Sequence, residues 1–274
     1  MNRNQDEIYM RRCIELAKKG LGTTYPNPLV GSVIVHKGRI IGEAFHKKAG
    51  EPHAEVLAVQ SVKNVSLLNK SVLYVNLEPC SHHGKTPPCS DLIIEKKIPK
   101  VVICNQDPYH EVSGKGIEKL RNANIEVITS VLETQGKHLN RRFFTFQKDK
   151  RPWVILKWAE TADGFLDIQR VPGDDKRPKW ITNKTAKHIV HKWRSYEQAV
   201  LVGKNTAILD NPMLNVREWS GNHPTRLIID PELEIDQNSN IYNRKHPTII
   251  YNYQKDEEQD NLIYKSIAPD RPIT

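Results

Sequence analysis

The chain has 274 residues, with 14 Gly, 17 Pro, 38% hydrophobic and 27% charged residues, which suffices for one large or two ordinary globular domains and excludes collagen and wholesale disorder. No stretch approaches the roughly eighteen consecutive apolar residues of a membrane span, which excludes a transmembrane protein. The formal net charge of +9 would suit a polyanionic partner, but no run of about five like charges concentrates it, and a solvated basic surface explains it better.

Asp6 can cap a helix over about 6–19, whose apolar positions Tyr9, Cys13, Leu16 and Ala17 share one face and which Gly20 can end. The start of the chain lacks the charged-then-apolar order of a signal peptide, so the expected compartment is the cytoplasm. The β-rich runs 29–35 and 39–45 flank His36-Lys37-Gly38 and predict a hairpin. Segments then alternate: a helix near 54–62, a strand at 72–77, a helix from about 89, a strand at 100–104, a helix near 116–123 and a strand at 125–129. Such alternation predicts a layered α/β domain with parallel strand neighbours. A helix is expected over 131–146, and the polar break 147–152 divides the chain into domains 1–147 and 152–274. The second domain restarts with a strand at 153–158, a helix near 182–195 and strands at 198–203, 225–230 and 247–252. From 256 onward only one short apolar run remains, so this domain is expected to be incomplete.

Four cysteines, Cys13, Cys80, Cys89 and Cys104, are too few and too uneven for a disulfide framework. Cys13 on a helix's apolar face and Cys104 at a strand end read as core. The other two stand out together with His53-Ala54-Glu55. One imidazole and two thiolates give Zn²⁺ three protein ligands and leave a fourth position for water, whose pKa falls from about 15.7 toward about 7 in such sites. Glu55, beside His53 at a helix start, can take the water proton and hand it to a ring nitrogen and a departing amine. Both thiols sit at element ends, Cys80 after an apolar strand and Cys89 after Pro87-Pro88 at a helix start, where a helix N-terminus favours thiolate. A closed structural zinc is the rival reading; His82 or His83 would supply its fourth ligand, and Glu55 would then have no task.

His-Ala-Glu with Pro-Cys and a later Cys resembles the zinc-dependent nucleoside deaminase superfamily, in which two residues usually separate the cysteines. Here eight intervene, Ser81 to Pro88. That insertion, with Thr24-Tyr25-Pro26-Asn27-Pro28-Leu29-Val30-Gly31 upstream and Asp107-Pro108 and Gly114-Lys115-Gly116 downstream, resembles the bifunctional riboflavin-biosynthesis deaminase-reductase family. The resemblance runs through nearly the whole chain. It implies a cytidine-deaminase-like three-layer domain that hydrolytically deaminates 2,5-diamino-6-(5-phosphoribosylamino)pyrimidin-4(3H)-one. His53, Cys80 and Cys89 would hold zinc and Glu55 would catalyse. His82, His83 and Lys85 form a cationic rim suited to the substrate phosphate. Asn27 could read the pyrimidine edge, or be a turn residue between two prolines. In this family Asp107 and the loop to Gly116 also border the substrate, which makes Asp107 and His110 secondary candidates; Tyr109 stands where the family often has Asn.

The resemblance continues from Trp153 as a dihydrofolate-reductase-like α/β domain that uses NADPH to reduce the ribosyl group to ribityl. It is carried by Leu156-Lys157, Asp163-Gly164, Trp180-Ile181-Thr182, His191-Lys192-Trp193-Arg194 and Val202-Gly203 through Pro212. It implies that Ala159, Trp180, Thr206 and Asp210 line the cofactor and that Arg194, Leu214 and Arg217 meet the substrate. Thr161-Ala162-Asp163-Gly164 replaces the usual Ser-Leu-Asp-Gly, and Arg177-Pro178-Lys179 replaces a substrate-contacting run. Family members run on for roughly another hundred residues, including the glycine-rich loop that cradles NADPH phosphates, so impaired or absent reductase activity is expected unless dimerisation compensates. The partner expected is this small phosphoribosyl pyrimidine, with no nucleic acid and no membrane, in a homo-oligomer. Two rivals share the metal site. A nucleic-acid deaminase would need stacking aromatics, which the inter-cysteine segment lacks, and a non-catalytic zinc-stabilised binding module would leave Glu55 idle.

Overall fold

The computed structural model describes residues 3–82, 87–109, 113–168 and 180–268, which form two compact units, Met1–Ile155 and Leu156–Thr274. In the first unit α1 (Arg3–Ala17) leads to the hairpin β1 (Gly31–His36) and β2 (Arg39–Phe45). Then follow α2 (Ala54–Gln60), β3 (Val72–Leu77), α3 (Cys89–Glu95), β4 (Lys100–Asn105), α4 (Lys115–Asn122), β5 (Glu126–Ile128), α5 (Glu133–Leu139) and α6 (Arg141–Asp149). The sheet order is β2-β1-β3-β4-β5; β3, β4 and β5 run parallel and the β1 pairings are antiparallel.

Period-two alternation sorts the apolar side chains into two cores. Val33, Val35, Tyr74, Val102 and Cys104 meet Tyr9, Met10, Cys13 and Ala17 of α1 on one face. On the other, Ile34, Leu73, Val75, Val101 and Ile103 meet Ala58 of α2, Ile93 of α3 and Ile117 and Leu120 of α4. The result is a three-layer α/β sandwich, and Cys13 and Cys104 are fully buried in the first core. Gly31 lets α1 approach β1: a Cβ there would lie 2.2 Å from the Cys13 carbonyl oxygen.

The second unit contains α7 (Lys184–Arg194), β6 (Ala199–Gly203), α8 (Lys204–Asp210), β7 (Thr225–Ile229), β8 (Thr248–Asn252), β9 (Glu257–Gln259) and β10 (Leu262–Ser266). Its sheet runs β6-β7-β8-β10-β9, parallel except at the β9–β10 hairpin. Ile228, Ile250, Leu262 and Ala207 build its core, and β6 forms one edge with Leu201 51% exposed. Both units are mixed α/β, as the sequence pattern predicts.

Three expectations change. Asp6 does not cap α1 but lies within it, buried, accepting a 2.7 Å bond from the Tyr74 hydroxyl. The helix expected over 131–146 is two: Leu132 has φ +58, so α5 starts after it, and Asn140 leaves helical geometry between α5 and α6 to serve Leu29 with its side chain. Residues 153–158 form no strand, because apolar content predicts burial rather than a ladder partner and none among the described residues pairs with this run; Val154 and Leu156 are exposed. Conversely, α8 was hidden inside a motif-like run, and the tail beyond 256 forms β9 and β10.

Candidate metal centre and its surroundings

The carboxyl ends of β3 and β4 and the N-termini of α2 and α3 converge where ligands bind in parallel α/β sheets. His53 is the N-cap of α2, and Glu55 falls in that helix's first turn. Cys80 follows β3, and Cys89 is the first residue of α3. The Cys89 backbone N–H donates to Cys80 Sγ at 3.3 Å and the Ser90 N–H to the Cys80 carbonyl at 3.1 Å, so the first turn of α3 fixes the earlier cysteine.

His53 Nδ1 lies 3.3 Å from Cys89 Sγ and 3.5 Å from Cys80 Sγ, and the three donor atoms all fall within 4.8 Å of one another. Donors sharing one tetrahedral zinc, at about 2.0 Å for nitrogen and about 2.3 Å for sulfur, stand about 3.5 Å apart, so these residues fit that ion. Among the described residues no fourth His, Cys, Asp or Glu joins the cluster; His82 is exposed and outside it. Hydrogen bonds from Cys89 and His53 hold the Cys80 thiol down to about 4, while the bond to Cys80 and burial push Cys89 up. The bond to Cys80 raises His53 to about 9. Glu55 is 3% exposed, and burial pushes its carboxyl up to about 7 against the pull of His53.

Asn27 is half-buried at the edge of this cluster, with Nδ2 3.0 Å from His46 Nε2. His46 Nδ1 faces the Pro52 carbonyl at 3.1 Å, and a carbonyl only accepts. The proton therefore sits on Nδ1, Nε2 accepts from Asn27, and Asn27 Oδ1 is left outside that bond. The His46 ring meets His53 edge-on at 5.7 Å, and burial lowers its pKa. Behind Asn27, Leu29 is held by its own backbone. Its N–H donates to Asn140 Oδ1 at 2.8 Å, and its carbonyl accepts from Asn140 Nδ2 and Asn76 Nδ2, both at 2.9 Å. Asn76 Oδ1 also takes the Gly31 N–H at 2.6 Å.

Asp107 is half-buried after β4, and burial, with the nearby Glu78 charge, raises its carboxyl to about 6 against the pull of the Tyr109 N–H. Its Oδ1 accepts the Tyr109 N–H at 2.8 Å. His83, Lys85 and His110 lie outside the described residues. Sequence reading missed His46, Asn76, Asn140 and Glu78. None has a spacing that announces it; a histidine directly after β2, seven positions before His53, was the nearest to a signal.

In the second unit Thr206 and Asp210 stand one turn apart on α8, which opens directly after β6. Ala159 is half-buried in the irregular stretch before it, and Trp180 is 65% exposed with the Lys187 ammonium 5.0 Å from its ring centre. Arg194 Nη1 donates to the Asn215 carbonyl at 2.8 Å and Arg217 Nη1 to Asn215 Oδ1 at 3.3 Å, so one asparagine gathers both guanidinium groups. Leu214 is 5% exposed, part of the core, with φ +50.

Residues 3–105 match the cytidine and deoxycytidylate deaminase zinc-binding region, and residues 152–268 match the RibD C-terminal domain. The riboflavin biosynthesis protein RibD of Aquifex aeolicus is 44% identical over 269 residues, 97% of this chain and 74% of that protein. The chain belongs to the RibD family. The RibD of Escherichia coli is 35% identical, over 93% of this chain and 71% of its own length. Among solved structures, the diaminohydroxyphosphoribosylaminopyrimidine deaminase/5-amino-6-(5-phosphoribosylamino)uracil reductase of Thermotoga maritima superposes with a TM-score of 0.87 at 43% identity, covering 98% of this chain and 75% of that one. Acinetobacter baumannii RibD gives 0.84 at 35% identity, covering 98% and 76%. The RibD resemblance read from the motifs, and the deaminase-then-reductase order of the two units, are thereby borne out.

Proposed function

We propose that the first unit hydrolyses the ring C–NH₂ of 2,5-diamino-6-(5-phosphoribosylamino)pyrimidin-4(3H)-one to a carbonyl with release of ammonia. The observation that carries this is one imidazole and two thiols at tetrahedral zinc spacing with a buried carboxyl beside them. When bound, zinc supplies the Lewis acidity that makes hydroxide available at neutral pH. Glu55 accepts one proton of the attacking water and gives it to the ring nitrogen, then carries the second, from the hydroxyl on the reacting carbon, to the leaving amine, a role suited to a buried carboxyl beside the cluster. Asn27, oriented by His46, presents Oδ1 to donors on the pyrimidine edge. Asp107 contacts the substrate, and His82, with His83 and Lys85 of the same inter-cysteine segment, takes the substrate phosphate.

The second unit reduces the ribosyl group to ribityl with hydride from NADPH. In support, α8 puts Thr206 and Asp210 on one side of a helix at the carboxyl end of a parallel strand. With Ala159 and Trp180 these bind the cofactor. Arg194 and Arg217, two cations drawn to one asparagine, suit a phosphate, and Leu214 reaches the substrate through its strained backbone rather than its buried side chain. No helix of the described residues is long and apolar enough to cross a membrane. The same reading places the enzyme in the cytoplasm, in a homo-oligomer that sedimentation would reveal, with no nucleic-acid or membrane partner.

Glu55→Gln tests the deaminase. The variant keeps one zinc per chain and loses about 10²–10⁴-fold in ammonia release from the diaminopyrimidinone. Undiminished turnover, or ammonia released from oligonucleotides instead, would overturn the reading.

A further inference from the structure

Glu78 lies outside the metal cluster yet is 4% exposed, and its hydrogen-bond partners among the described residues are backbone N–H groups. Its carboxylate collects four backbone donors. Oε1 accepts from the Gly116 N–H at 2.9 Å and the Ile117 N–H at 3.2 Å; Oε2 accepts from the Gly114 N–H at 3.0 Å and the Asp107 N–H at 3.2 Å. Two oxygens carry about four lone-pair sites, so the carboxylate is fully used. Its own N–H donates to the Asn105 carbonyl at 2.9 Å, tying the end of β3 to the end of β4. Gly116 closes on the same strand end: a Cβ there would stand 2.1 Å from the Pro79 carbonyl oxygen.

We propose that Glu78 is a positioning residue for the deaminase substrate, holding the wall that carries Asp107 in register with the metal ligand Cys80, two residues further along the chain. The inference rests on the deaminase reading above. One short stretch, Glu78-Pro79-Cys80, thus fixes a metal ligand at its end and a substrate wall through its first side chain. The wall reaches the centre itself, since its Gly116 closes on the carbonyl of Pro79, the residue before Cys80. Only a carboxylate serves. Glutamine keeps the shape but turns one oxygen into an N–H₂ donor facing two N–H groups, so the wall shifts while the cysteines stay in place.

The test uses the full zinc-loaded chain and the diaminopyrimidinone substrate, comparing wild type, Glu78→Gln and Glu78→Ala. Both variants are expected to keep one zinc per chain and to raise KM about tenfold or more, while kcat falls no more than about threefold. Hydrogen exchange speeds up at Gly114–Ile117 but not in α2. Sodium formate, which can occupy the nest of N–H groups that Glu78→Ala vacates, lowers the KM of that variant and not of wild type. The proposal is overturned if KM is unchanged, if kcat and KM move together without formate rescue, or if the variants unfold or lose zinc, since the carboxylate would then hold the fold rather than the wall. A wild type that releases no ammonia defeats the deaminase reading instead, and the exchange measurement still reports on the clamp.

Discussion

The carbonyl of Leu29 is bonded twice, by Asn76 from β3 and by Asn140 between α5 and α6, and this redundancy predicts a specific non-additivity. Replacing Asn140 by Leu, near in volume but unable to bond, orphans the buried Leu29 N–H, while the carbonyl keeps its Asn76 donor. The cost is about 1–3 kcal/mol. Replacing Asn76 by Leu orphans the Gly31 N–H, which points away from β2 toward β3, at a similar ~1–3 kcal/mol, and again the carbonyl keeps a donor. Only the double variant leaves the Leu29 carbonyl with neither. It should therefore cost ~1–3 kcal/mol more than the two singles combined.

The chain has two units, so a single unfolding midpoint would mix them. Native-state hydrogen exchange at the buried β4 amides Val101–Ile103 reads the opening of the first unit alone, and protection factors give each variant's free energy directly. Because Asn27 sits two residues before Leu29, both singles should also weaken substrate binding. Coupling within about 0.5 kcal/mol of zero would refute the reasoning, showing that the two amides do not back each other up at that carbonyl.

These asparagines mark the limit of what the sequence discloses. His53, Cys80 and Cys89 were legible because catalytic zinc demands rare residue types at element ends, and such chemistry shows in a string of letters. Strand alternation was legible for the same reason: Val33 to Val35 and Leu73 to Val75 must face opposite cores. Asn140 and Leu29 are 111 positions apart, and nothing local in either foretells the bond. The same partnership broke the expected 131–146 helix, so one missed contact produced two misreadings. Residues 153–158 failed in the opposite sense, being rich in strand-forming side chains but without a ladder partner among the described residues. Glu78 was invisible because its partners are backbone N–H groups, which every sequence possesses.

Two further predictions concern buried polar groups whose net effect is unfavourable. Ser90 Oγ, beside Cys89 in α3, is buried without a hydrogen-bond partner among the described residues, so Ser90→Ala should stabilise the first unit by ~1 kcal/mol, through lost desolvation and better helix propensity; slower exchange at Val101–Ile103 would verify it. His191, 2% exposed in the second unit, is pushed down to about 4 by burial and by the charges of Arg194 and Arg217, and its Nδ1 accepts the Arg217 N–H at 3.3 Å. In the unfolded chain it titrates near 6.5. As pH falls from about 6.5 toward about 4 the unfolded state gains a proton that the folded state refuses, so the second unit loses stability across that window and no further below it. Urea midpoints at pH 7.5, 5.5 and 4.5, followed by the fluorescence of Trp193 and Trp219 in a background with Trp153, Trp158 and Trp180 replaced by Phe, would track this loss, and His191→Gln should flatten it. A wild-type midpoint independent of pH, or an equally steep fall in the variant, would show that His191 does not stay neutral between its two arginines.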